Sequence, residues 1–185
     1  MDKKSKTEII IAITILFLAM FYSITNNPFT FRNIGDYYSH EKKYDIANYF
    51  YIKSANKGDE PAIINLIYNH TRNKEFEEAY KWIEILAKKE NSIGLKLKGL
   101  FLIEGMATKK DIEEGYKYLE KSANKGEKSA MLLAGICKVE NKKNDQDIET
   151  AKNWLKKAKE IKDNDDDKNE KLTKELEELI QKNEK

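Results

Sequence analysis

Few residues in this sequence have the type and spacing that chemistry requires. His40 and His70 are its only histidines. Their separation is close to the length of a repeat described below, so they could meet at neighbouring helix ends, but two ligands alone hold a metal weakly and solvent-exposed helix-end histidines explain them more simply. Cys137, the single cysteine, can form no internal disulfide and no cysteine-based zinc site, and in an apolar stretch it reads as a small hydrophobe rather than a nucleophile. Asp163, Asp165 and Asp167 have the spacing of a calcium loop, yet Lys168 stands where that loop needs glycine and Lys174 where it needs a bidentate glutamate. Asp167 or Asn169 as a helix N-cap fits better. The other carboxylates alternate with lysines at helical spacing, which is a solvated surface. No Gly-x-Ser-x-Gly turn, phosphate loop or His-Glu-x-x-His helix occurs. The expectation is a protein with no catalytic residue, no cofactor and no metal.

The elements that carry these residues are helical. Charged residues make up 36% and hydrophobic residues 40% of the chain, with two prolines and eight glycines, too few for a loop-rich fold. The 34 basic residues against 32 acidic ones leave a net charge of +2, a mixed surface without the basic face that nucleic-acid binding needs.

Self-similarity organises the chain. Lys53-Ser54-Ala55-Asn56-Lys57-Gly58 returns as Lys121-Ser122-Ala123-Asn124-Lys125-Gly126, and aligning on the second copy places Ala47, Ala79, Gly115 and Ala151 at equivalent positions, in steps of 32, 36 and 36 residues. Such a period marks a stacked helical array. Three residues on stand Phe50, Trp82, Tyr118 and Trp154; eight on stand Ala55, Ala87, Ala123 and Lys159. A small residue, an aromatic and a small residue at these offsets share one helix face, where the ring fills space and the small residues admit a neighbouring helix. These B helices are expected at roughly 43–57, 75–89, 111–125 and 147–161, with Gly58 and Gly126 ending two of them in left-handed backbone. The A helices precede them, at 34–39, 62–69, 94–103 and 130–140. Gly35, Gly99 and Gly135 lie inside three of these, and a recurring mid-helix glycine points to close helix packing. Pro61 falls in the first turn of the second, where its missing N–H does no harm.

The pattern Ala-x-x-x-Leu-Gly-x-x-Tyr followed by Lys-Ala-x-x-Trp-x-x-Lys-Ala-Ala-x-x-Gly-x-x-x-Ala resembles the Sel1-like repeats, relatives of the tetratricopeptide repeat. The third unit carries it most fully, through Gly94, Gly99, Leu102, Gly105, Gly115, Tyr118, Lys121, Ser122, Ala123, Gly126 and Ala130. Elsewhere it is degraded: Glu90 and Lys162 replace helix-ending glycines, and Ile67 an A-helix glycine. The resemblance covers roughly residues 33–161 and implies an all-α, α/α solenoid of about four helix pairs over 32–162. Residues 163–185 then read as an acidic loop and a capping helix whose stripe of Leu172, Leu176, Leu179 and Ile180 covers the apolar end of the array.

The N-terminus has another character. Lys3, Lys4 and Lys6, in a basic segment 1–6, precede an uncharged apolar run from Ile9 to Ile24. Residues 7–25 as a helix would reach roughly 28 Å, close to the hydrocarbon thickness of a bilayer. A signal anchor is expected, or a signal peptide if Ser23 and Thr25 direct cleavage, with the basic end cytoplasmic, a linker at 26–31 and the repeats in the periplasm beside the inner membrane.

In such arrays the A helices line the concave side. The register puts Asn33, Asp36, Tyr37 and His40 there, then Asn65, Tyr68, Asn69 and Arg72, Leu97, Leu100, Phe101 and Glu104, and Leu133, Ile136, Cys137 and Glu140. Tyr37, Tyr68, Asn69, Arg72 and Phe101 are the candidate partner-binding groove, because aromatics and arginine dominate interface energetics, and the C-terminal helix is expected over the fourth unit. The function expected is a non-enzymatic scaffold that binds another protein. The resemblance also implies two alternatives: an immunity protein that occludes a secreted, type VI-like lipase or other toxin, and a cell-wall-acting enzyme, whose disulfide-rich pattern the lone Cys137 departs from.

Overall fold

The motif that occurs twice ends a helix both times. Gly58 and Gly126 stand at φ +88° and +92°, left-handed backbone that disfavours a side chain by about 1–2 kcal/mol. Nothing lies within 4 Å of a Cβ built on Gly126, so Gly126→Ala would act through backbone conformation alone. We expect it to lower stability by about 1 kcal/mol in urea denaturation. Glu90, at the equivalent end of another B helix, takes the same conformation at φ +58°. The turn is kept there without the glycine.

The computed structural model describes residues 3–161 and 166–183, with the side chains of 3–9, 12, 25, 26 and 166 left aside. Lys162, Asp163 and Asp165 of the acidic stretch lie outside the described residues. Among those described, the regular elements are all helices: α1 (Lys3–Asn26), α2 (Pro28–His40), α3 (Tyr44–Ala55), α4 (Glu60–Arg72), α5 (Phe76–Lys88), α6 (Ser92–Glu104), α7 (Ile112–Asn124), α8 (Lys128–Glu140), α9 (Asp145–Glu160) and α10 (Asp166–Asn183). The A segments form α2, α4, α6 and α8; the B segments form α3, α5, α7 and α9. Local caps set their starts. Asn91, Asp111 and Glu127 each accept a hydrogen bond from a first-turn N–H of α6, α7 and α8, and Asn144 forms a capping box with Asp147 at α9. Asn27 caps α2 with Pro28 at its first turn, so the expected linker at 26–31 shrinks to Asn27.

The chain divides into two units, Met1–Asn69 and His70–Lys185. In the first, Gly35 lets α3 come close to α2: an added Cβ would sit 2.6 Å from the Tyr51 ring. Tyr38 stacks on Phe50 beside it, with centroids 5.8 Å apart. The buried Asp59 accepts from Arg32 at 2.9 Å. Ser54 Oγ lies 2.6 Å from the Pro28 carbonyl oxygen and 2.7 Å from Asp59 Oδ2, its one proton serving both acceptors. This network ties the start of α2 to the turn between α3 and α4.

The second unit repeats the device. Ser122 donates to the Ser92 carbonyl at 2.7 Å, and Lys96 pairs with Glu127 at 2.6 Å. Ser54 and Ser122 hold the same place in the repeated motif, Asp59 and Glu127 both follow its glycine, and Arg32 and Lys96 are both the fifth residue of their helices. The motif therefore closes each of these helix pairs by one hydroxyl and one ion pair. Gly99 and Gly115 mark the crossing of α6 and α7, where a Cβ on either would lie 2.8 Å from the other's carbonyl oxygen.

The rest of the second core is apolar. Leu119, Ala123, Leu132, Ile136, Val139, Ala151, Trp154 and Ala158 pack with Leu176 and Ile180 of α10, and Leu172 and Leu179 flank them. Leu176 fills the gap opposite Gly135, 2.7 Å from an added Cβ. The stripe on α10 thus lies over α8 and α9. Lys159, which replaces the small residue of the fourth B helix, reaches Glu177 of α10 in an ion pair. One expectation fails: α10 starts before Asp167 and Asn169, so neither caps it, and Asn169 is instead buried with its carbonyl accepting from Thr173.

Small-residue positions Ala47, Ala55, Ala79, Ala87, Ala123 and Ala151 are all buried, as is Trp154, whereas Phe50, Trp82 and Tyr118 are half-buried. In α1 the described large apolar side chains are all at least half exposed, from 50% at Ile24 to 71% at Tyr22. Among the described residues no helix is long and apolar enough to cross a membrane; in α1 the described side chains begin only at Ile10 and end at Ile24.

Candidate functional site

One close approach at a glycine builds the candidate site of the first unit. Gly35 admits the Tyr51 ring against α2, and this carries the phenol oxygen to Asp36 Oδ1, 2.8 Å away. Asn65 of α4 donates to the same oxygen at 3.0 Å. Around them Ser39, His40, Tyr68 and Asn69 complete a cleft of about 330 Å³. Five of its residues, Asp36, His40, Asn65, Tyr68 and Asn69, are those the A-helix register placed on one face. Tyr51 and Ser39 were not, since Tyr51 belongs to a B helix and reaches the cleft only because residue 35 has no side chain.

The cleft presents hydrogen-bonding groups and a charge. Asp36 carries a carboxylate that two neutral donors hold and that no lysine or arginine among the described residues pairs with. Burial, and then the hydrogen bond and charge of Asp36, push the Tyr51 phenol up to about 12. The folded state therefore favours the neutral phenol. Its contribution to stability is complete below the ordinary phenol value near 10 and is lost as pH rises through about 12. Alkaline unfolding, followed by tyrosine absorbance and far-UV circular dichroism, is expected to be cooperative in that window, and Tyr51→Phe should remove this part of the pH dependence.

The candidate groove residues separate by depth. Tyr37 and Tyr68 are 62% and 55% exposed, and Arg72 on the last turn of α4 is exposed. Asn69 is buried and donates to Asn48 Oδ1 at 2.7 Å, a bond within the unit. Phe101 is corrected outright. It is 2% exposed, set edge-on to Phe76 and stacked on Tyr80 with centroids 6.3 and 6.0 Å away, so it is core and offers no surface. The aromatics of the preceding helix, α5, bury it, and no spacing within its own helix announces them.

A second cleft, of about 220 Å³, lies in the other unit among Tyr116, Lys117 and Glu120 of α7, Cys137 and Lys138 of α8, Asn141 just past it, and Asp147. Three of its charged groups pair with one another: Lys138 meets Glu120 at 2.6 Å and Asp147 at 3.7 Å. Hydrogen bonds, first from the Lys143 backbone N–H, hold Asp147 below its usual range. Burial pushes the Cys137 thiol up to about 11, so it stays protonated at neutral pH and is a poor nucleophile. Of the histidines, His40 lines the first cleft, and His70 Nδ1 lies 2.6 Å from Glu75 Oε2. Among the described residues no three His, Cys, Asp or Glu side chains are grouped to hold a metal.

No protein-family model matches the sequence, and no curated protein matches it either. Solved structures do match. A Sel1 repeat protein from Oxalobacter formigenes superposes with a TM-score of 0.66 at 21% identity, over 85% of this chain and 74% of that one. The protein c5321, a protective antigen of uropathogenic Escherichia coli strains with an SLR fold, gives a TM-score of 0.64 at 18% identity over 73% of this chain, which spans only 31% of that larger molecule.

Proposed function

From a chain that has the fold of the Sel1-repeat proteins, we propose a non-enzymatic scaffold that binds another protein at the polar face of its first unit, held at the bacterial inner membrane by residues 7–25 with the repeats on the periplasmic side. One observation carries the binding part. Among the described residues no lysine or arginine pairs with the Asp36 carboxylate, which lies in a cleft lined by the exposed ring of Tyr68, with the exposed Tyr37 next to Asp36 in the chain. Rings of low conformational entropy beside an uncompensated charge suit a basic side chain of a partner, with the rings supplying contact area.

The anchoring part rests on the uncharged run behind three lysines and on the large apolar side chains from Ile10 to Ile24 of α1, which are at least half exposed. Capturing partners from membrane extracts with the full chain tests the whole reading. Tyr37→Ala with Tyr68→Ala should weaken capture about a hundredfold, about tenfold for each ring, and Asp36→Asn should weaken it while leaving the circular dichroism spectrum unchanged. Undiminished capture by folded variants would remove the site. If the captured protein is a toxin encoded beside this chain, the scaffold acts by occlusion, as an immunity protein.

A further inference from the structure

We propose that the base of the first unit is a lipid-headgroup docking surface, an aromatic and basic collar that seats the unit on anionic phospholipid. The inference rests on the anchor reading of α1 and goes beyond it, because it concerns folded residues outside the apolar run.

The collar is assembled from α2, α3 and the turn that follows α3. Only Asn27 separates α1 from α2, so Phe29 and Phe31 follow the apolar run within two turns. The Phe29 ring is 53% exposed and Tyr49 of α3 is 55% exposed. Cations lie over every one of these rings. Arg32 sits 5.0 Å from the Phe29 centroid, and Lys53 4.5 Å from Tyr49 and 5.6 Å from Phe31. Lys57 sits 5.8 Å from Phe31. The arrangement is held from beneath, since the buried Asp59 fixes Arg32 and Ser54 fixes the Pro28 carbonyl.

A bilayer interface fits this combination better than a protein partner does. A protein interface buries bare rings at a dry centre and keeps its charges at the rim. Here the ring faces already carry ammonium and guanidinium groups, which a dry interface would have to desolvate. The headgroup zone accepts both at once: rings lodge at the glycerol level while long basic side chains keep their stems on the rings and their charged ends on phosphate. Each basic group near an anionic surface favours the docked state about fivefold, so Lys53 and Lys57 together supply roughly 25-fold.

The test uses the full chain in vesicles, with Cys137→Ala and a fluorophore on Ile46→Cys, one turn before Tyr49. Vesicles of phosphatidylcholine alone are compared with vesicles containing phosphatidylglycerol, each carrying a headgroup spin label as quencher. Carbonate extraction reports separately whether α1 is inserted. The expected result is a carbonate-resistant chain whose probe is quenched in the anionic vesicles, with quenching weakened by salt and shifted roughly 25-fold toward the undocked state by Lys53→Gln with Lys57→Gln. An unquenched probe on a carbonate-resistant chain overturns the collar and leaves the anchor standing. A chain that carbonate extracts overturns the anchor reading, and the collar with it.

Discussion

Asp59→Ala is expected to lower the stability of the first unit by about 3 kcal/mol, the low end of the range for removing one partner of a buried ion pair. The low end applies because Arg32 keeps 21% of its side chain exposed, against 3% for Asp59, and can regain water. The carboxylate has two jobs, pairing Arg32 and taking part of the Ser54 hydroxyl proton. Asp59→Asn should therefore fall between the wild type and alanine, keeping a polar partner for Ser54 but losing the charge. Combining Asp59→Ala with Arg32→Met should recover part of the loss, because the orphaned cation is then gone. Trp82 and Trp154 both belong to the other unit, so tryptophan fluorescence would miss the change. Hydrogen exchange reads it directly: amides of α2 and α3 should lose protection while those of α8 and α9 keep theirs. Equal loss in both units would mean that the ion pair is not local to the first.

Leu176→Ala is expected to destabilise the second unit by about 3 kcal/mol. Leu176 is fully buried, and opposite it stands Gly135, which has no side chain to move into the void. The site can collapse only by shifting α10 toward α8, so most of the cavity should persist. Trp154 shares that core and serves as the reporter, with a lower urea midpoint and a red shift of its emission as water gains access. Leu172→Ala, at the half-buried margin of the same stripe, should lose about half as much. An unchanged midpoint for Leu176→Ala would show that α10 does not stabilise the unit.

These two expectations differ in how far the sequence foretold them. The stripe on α10 was legible, because apolar spacing at helical period names the face a helix must bury. The Arg32–Asp59 pair was not, since its members lie 27 residues apart and each looks like an ordinary surface charge. A signal existed all the same: an acidic residue follows the glycine in both copies of the motif, and a basic residue stands at the fifth position of both preceding helices. The candidate groove shows the same division. Tyr37, Tyr68 and Phe101 lie on equivalent stretches of their A helices, yet the tyrosines are exposed and Phe101 is enclosed by Phe76 and Tyr80.

By itself the sequence determined the helices of the repeats, their order and the glycine-marked ends of two of them, because helix-ending glycines and apolar periods act within a few residues of chain. It also placed Asp36, His40, Asn65, Tyr68 and Asn69 on one face. The tertiary structure alone decided which of those side chains remain available. Asn69 spends its amide on Asn48, Tyr51 enters the cleft through the gap at Gly35, and among the described residues Asp36 has neutral donors and no lysine or arginine. The reason is physical: secondary structure follows from local backbone preferences, but burial and pairing depend on what a neighbouring helix brings, and a helix's own sequence holds no record of its neighbour.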